Sequence, residues 1–163
     1  MKIMKAETMP NPVSGKQIIE SGELEKLSET ICGDKNLDFA GAKISYLLIY
    51  PNISQKTPAK VKKTTKELKH FTGYDYLIEI SGELWDMLDS DTRYNLFWNQ
   101  LIRVNPTFVA KKGEYVMKLK KPNYSNFYEI HDSVGMDWLK AVQASMSSLY
   151  DLGIIEEDQI SLF

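Results

Sequence analysis

The stretch Leu88-Asp89-Ser90-Asp91-Thr92-Arg93-Tyr94-Asn95-Leu96-Phe97-Trp98-Asn99-Gln100-Leu101-Ile102-Arg103 reads as one helix, and the rest of the chain is best understood from it. Asp89 or Ser90 can cap its first turn by accepting from a backbone N–H, and Asp91 suits the positive end of the helix dipole. Tyr94, Phe97, Trp98 and Leu101 recur at i, i+3, i+4 and i+7, the spacing of a stripe that faces a core. Asn95, Asn99 and Arg103 follow at i, i+4 and i+8 and form a polar stripe beside it. Asn99 and Arg103 therefore lie on one side of the helix, one turn apart. Asn105-Pro106 closes the segment.

Working outward, Ala42 to Tyr50 is dense in Ile, Tyr and Leu and predicts a buried strand ended by Pro51-Asn52. Tyr74 to Ile80 predicts a second. Ser14 to Ile31 reads as one or two short helices broken near Gly22, followed by a turn over Cys32-Gly33-Asp34-Lys35-Asn36. Thr57 to Phe71 reads as a lysine-rich helix stopped at Gly73. Thr107 to Ala110 and Glu114 to Leu119 flank Lys111-Lys112-Gly113 as a hairpin, and Lys120 to Tyr128 is a polar, aromatic-bearing loop. A long helix is expected from Asp132 to Leu152, ended by Gly153. The order implies an α+β fold: a small mixed sheet and a hairpin packed on three to four helices. The expected organisation is a loose N-terminal arm over residues 1–13, one domain over 14–155 and a short acidic tail over 156–163.

Composition narrows the class. The 163 residues are 43% hydrophobic and 26% charged, the balance of a soluble globular domain. A net charge of −2 gives no global drive towards nucleic acid or anionic membrane. No apolar run is long enough to span a bilayer, and the N-terminal residues lack the apolar core of a secretory signal. Cys32 is the single cysteine, which excludes an intramolecular disulfide and suits a reducing cytoplasm; it reads as a small buried or half-buried residue.

The segment Asn99-Gln100-Leu101-Ile102-Arg103 has the spacing of H-E-x-x-H, in which two imidazoles hold Zn²⁺ and a glutamate takes a proton from the metal-bound water. Its chemistry is different at each position. An amide is a poor zinc ligand, a guanidinium has no lone pair to give, and a carboxamide is no general base near neutral pH. The surrounding sequence carries a resemblance. Asp38 to Leu48 resembles the opening strand of the phage-type putative metallopeptidases. Tyr74 to Trp85 with Leu88 to Tyr94 resembles the block leading into that family's H-E-L-x-H helix. His131-Asp132 resembles the family's downstream His-Asp, which would supply a third ligand. The resemblance covers about Asp38 to Trp138 and implies a zincin-like domain; the departures at Asn99, Gln100 and Arg103 leave no catalytic residue to carry over and no expected metal or other cofactor.

The resulting expectation is a pseudoenzyme of the zinc metallopeptidase type, encoded by a phage or prophage and working by binding in the bacterial host cytoplasm. A host protein such as a defence component would be its partner. Asn99, Gln100, Arg103, His131 and Asp132 would line the surviving cleft, with Arg103 paired to Asp132. Two further surfaces are candidates for binding: the lysines Lys62, Lys63 and Lys66, and the aromatics Tyr124 and Phe127. Two alternatives stand beside this reading. One is a divergent metal-dependent hydrolase using His131, Asp132 and a glutamate such as Glu83. The other is a nucleic-acid-binding accessory protein using a Lys56–Lys69 helix; it is not favoured, because no aromatics for base stacking are interleaved there.

Overall fold

The computed structural model describes residues 16–121 and 128–161. Its architecture is α+β, as the sequence implies. Strand β1 (Gln17–Glu20) is followed by α1 (Gly22–Lys35), β2 (Ile44–Tyr50), β3 (Ala59–Lys63), α2 (Lys66–Thr72), β4 (Tyr76–Ser81), α3 (Gly82–Met87) and α4 (Ser90–Arg103). The hairpin strands β5 (Thr107–Val109) and β6 (Glu114–Val116) come next, then α5 (Tyr128–Val134) and α6 (Asp137–Ser161). The described residues thus hold six helices rather than three or four.

Among the described residues, four strands form a mixed sheet in the order β1-β2-β4-β3. The central pair, β2 and β4, is parallel, with Ile44 opposite Tyr76, Tyr46 opposite Ile78 and Leu48 opposite Ile80. These six residues share one face, because side chains alternate along a strand. That face is the floor of the core: Tyr76, Ile78 and Ile80 are fully buried. Helix α4 lies over it, and its Leu96, Phe97, Trp98, Leu101 and Ile102 are buried with Leu24 and Ile31 of α1 and Val142 and Met146 of α6. The expected stripe is therefore core, with Tyr94 only half-buried at its edge. Asp89 caps α4, its carboxylate accepting from the Thr92 N–H at 2.9 Å.

The turn from β4 into α3 depends on one glycine. The Tyr50 ring packs against Gly82, and a Cβ there would sit 2.6 Å from two of the ring carbons. The ring is also held at its far end, where the Tyr50 hydroxyl donates to Asp86 at 3.1 Å. Gly82→Ala is expected to cost about 2 kcal/mol, the scale of overpacking strain. Urea denaturation checks it, and a cost below about 0.5 kcal/mol would mean that the ring simply moves aside.

Several elements differ from the sequence expectation, each for a local reason. Ile18 and Ile19 pair with Ile49 and Leu48 as strand β1 rather than starting a helix. Helix α1 begins at Gly22 because the Ser21 side chain accepts from the Leu24 N–H at 3.1 Å. It then runs through Cys32-Gly33-Asp34-Lys35, and the left-handed Asn36 (φ 55°) ends it by donating to the Cys32 carbonyl. The lysine-rich segment splits into β3 and the short α2. Ala59 and Val61 pack on the core, alternating with Lys60 and Lys62, and Thr65 caps α2 through the Leu68 N–H. Gly73, at φ 81°, stops α2 as expected.

The C-terminal helix is two helices. Gly135 (φ 76°) separates α5 from α6, so His131 stands inside a short helix, and α6 passes through Gly153 to Ser161. The expected N-terminal arm and the loop bearing Tyr124 and Phe127 lie outside the described residues. Cys32 is half-buried, and burial pushes its thiol pKa up against the opposing pull of Ser28.

Candidate functional site

Asn99 and Gln100 are 2% and 3% exposed, while Asn95 and Arg103 beside them on α4 are half-buried. Buried amides need partners, and these find them in one another. The Asn99 Oδ1 accepts from Gln100 Nε2 at 3.0 Å, from Arg103 Nη2 at 3.0 Å and from Arg103 Nε at 3.3 Å. Gln100 Nε2 also donates to the Leu96 carbonyl at 3.3 Å. The three positions that would hold two ligands and a base are thus tied into a knot with Asn99 as its acceptor hub. Burial lowers the Arg103 pKa, yet a guanidinium remains protonated across the physiological range.

This knot forms part of the wall of a cleft of 510 Å³. Helix α4 contributes Leu96, Asn99, Gln100 and Arg103; the approach to β3 contributes Gln55, Lys56, Pro58 and Ala59; and α6 contributes the opposite wall from Trp138 to Tyr150. Two polar atoms of lining residues are shut off from solvent and have no hydrogen-bond partner: Gln100 Oε1, an acceptor, and the indole N–H of Trp138, a donor. The lining includes the cations Lys56 and Arg103 and, among the described residues, no carboxylate.

The structure brings Asn99, Gln100 and Arg103 together and leaves the other candidates elsewhere. His131 and Asp132 do not line the cleft. Both are solvent-facing, at 47% and 81% side-chain exposure, with His131 Nδ1 3.8 Å from Asp132 Oδ1. Arg103 donates to Asn99, and no pair with Asp132 is formed. Glu83 is exposed on α3, and among the described residues no three His, Cys, Asp or Glu side chains gather where they could hold a metal. The set His131, Asp132 and Glu83 is therefore not assembled. Lys62 pairs with Glu79 of β4 at 2.9 Å, while Lys63 and Lys66 are exposed and away from the cleft. The contribution of α6 is not legible in the sequence, because Trp138 and Met146 fit a core stripe.

The residues present do not fit zinc. Two amides and a guanidinium offer no anionic or imidazole donor, whereas zinc sites use at least three good protein ligands. Helix α4, with Asn99 and Arg103 one turn apart, thus forms one wall of a cleft closed by α6 and the approach to β3. Residues 16–150 match the family described as putative phage metallopeptidase, and the chain belongs to that family. No curated protein and no solved structure matches it. No described helix is long and apolar enough to cross a membrane.

Proposed function

We propose that this protein is a non-catalytic member of its family and that it acts by holding a polypeptide segment of a partner in the inherited cleft. The observation that carries the reading is the lining of the cleft, where the polar side chains of Gln55, Gln143 and Ser147 stand beside an apolar wall. Side-chain amides both donate and accept hydrogen bonds, as a peptide unit does. The apolar wall of Leu96, Leu139, Val142 and Met146 gives side chains of such a segment a place to bury. The knot around Asn99 supports the absence of turnover, since it holds neither a base nor a metal ligand. Membership in a phage family makes a bacterial host protein in the host cytoplasm, such as a defence component, the partner in this reading.

Ser147 is exposed at the mouth of the cleft, so Ser147→Trp should obstruct it without disturbing the core. Peptides enriched by the wild-type protein from a displayed random library are expected to bind at least tenfold more weakly to Ser147→Trp, and mass spectrometry should find them intact after incubation. Cleavage of the enriched peptides would end the non-catalytic reading. Equal binding to both proteins would remove the cleft as the site.

A further inference from the structure

The exposed aromatic rings of this protein cluster with its lysines. Phe71, 82% exposed on α2, follows Lys66, Lys69 and His70. Phe108 and Tyr115, 54% and 49% exposed, are cross-strand partners on the hairpin, with ring centroids 5.4 Å apart. Lys111 and Lys112 form the hairpin turn, and Lys118, Lys120 and Lys121 follow its second strand. Between Asn105 and Lys121 there are five lysines and one acidic residue, Glu114, in a chain whose net charge is −2. Basic charge is therefore concentrated here against the balance of the whole.

The fold joins these two segments. Strand β3 ends at Lys63, opposite Tyr76 at the start of β4, and α2 bridges the two strands at that end of the sheet. The Tyr76 hydroxyl donates to the Lys118 carbonyl at 2.7 Å, pinning the base of the hairpin to the same end. Asp75 takes Lys69 as its ion-pair partner and accepts from the Lys43 N–H; burial opposes ionisation, but these contacts outweigh it and hold the carboxyl below its usual pKa. Lys63, Lys66, Lys111, Lys112 and Lys118 are exposed. None of them lines the cleft.

We propose that this end of the sheet, built from α2 and the hairpin, binds single-stranded nucleic acid. The lysines meet phosphates, and Phe71, Phe108 and Tyr115 offer ring faces to unstacked bases. A duplex keeps its bases stacked inside and would use the charge alone. Insertion into an anionic membrane would need a continuous apolar patch, and here lysines interrupt the rings. The site is separate from the cleft and independent of what the cleft binds.

Fluorescence anisotropy with a labelled oligo(dT) of about 20 nucleotides tests the proposal. Affinity should fall with salt at a logarithmic slope of roughly −2 to −3, as expected when three or four phosphates are neutralised. Phe71→Ala and Phe108→Ala should each weaken binding about fivefold or more, the scale of one lost base stack, and both sites are exposed enough to leave folding intact. Lys111→Ala/Lys112→Ala should flatten the salt slope, and Ser147→Trp should leave it unchanged. No binding to the oligonucleotide overturns the proposal. So does equal affinity for duplex with no effect of the Phe substitutions, or binding to phosphatidylserine vesicles in preference to the oligonucleotide.

Discussion

Asn99→Leu is expected to destabilise the protein by about 3 kcal/mol, although it exchanges a polar side chain for an apolar one of similar size in the interior. Asn99 is the hub that accepts from both Gln100 and Arg103. Leucine would remove the acceptor that Arg103 and Gln100 share, and a lost hydrogen bond to a charged or buried group costs about 1–3 kcal/mol. Gln100 keeps its bond to the Leu96 carbonyl, which limits the loss. Asn99→Asp is the informative control, because a carboxylate preserves the acceptor and strengthens it towards Arg103. Its cost at neutral pH should stay within about 1 kcal/mol. Held beside the guanidinium, the new carboxyl would have a folded-state pKa below its unfolded value. Its contribution would be present above the unfolded pKa and lost as pH falls through the folded one. Urea titrations of both variants at neutral and acid pH measure this. Equal stabilities for the two variants at neutral pH would show that the knot does not hold the helix.

Phe97→Ala should cost more, about 4 kcal/mol, and lower the melting temperature by roughly 10 °C. Phe97 has no exposed surface. Its ring meets Tyr46 of β2 edge-on at 5.8 Å and 70° to the Trp85 ring of α3 at 6.2 Å, so it joins the sheet, α3 and α4 at one point. Truncation leaves a cavity bordered by two rigid rings that cannot collapse into it. Phe97→Leu retains most of the volume and should lose less than half as much. Thermal unfolding by circular dichroism gives the comparison, and a loss for Phe97→Ala below about 2 kcal/mol would place the core elsewhere.

The parts of this fold that sequence patterning reveals are those with one strong period. Helix α4, its Asp89 cap, the β2 and β4 strands, the Gly73 stop and the hairpin all carry local signals that the tertiary structure agrees with. Strand β3 was hidden because Ala and Lys favour helices, while its true period of two is carried by only Ala59 and Val61. Strand β1 was hidden because Ile18 and Ile19 are adjacent and suit either period; pairing with Ile49 and Leu48 decides it. The knot in the site was legible as three residue types at one spacing. Its burial was not, because nothing local announces that α6 will cover a polar stripe. His131 shows the converse: its place in the chain suits a third ligand, but α5 and the turn at Gly135 leave it facing solvent.

The position of β3 at the end of the strand order has one more consequence. Among the described residues only one of its sides is paired, which leaves its other backbone groups as an edge on which another chain's strand could add, the route by which sheet proteins aggregate. Three of its five residues are lysines, Lys60, Lys62 and Lys63, and Pro58 stands just before it. A second copy approaching edge to edge would bring these ammonium groups together, and the proline offers no N–H to start the ladder. The residues that disguised the strand as a helix thus guard the protein against joining itself into fibres.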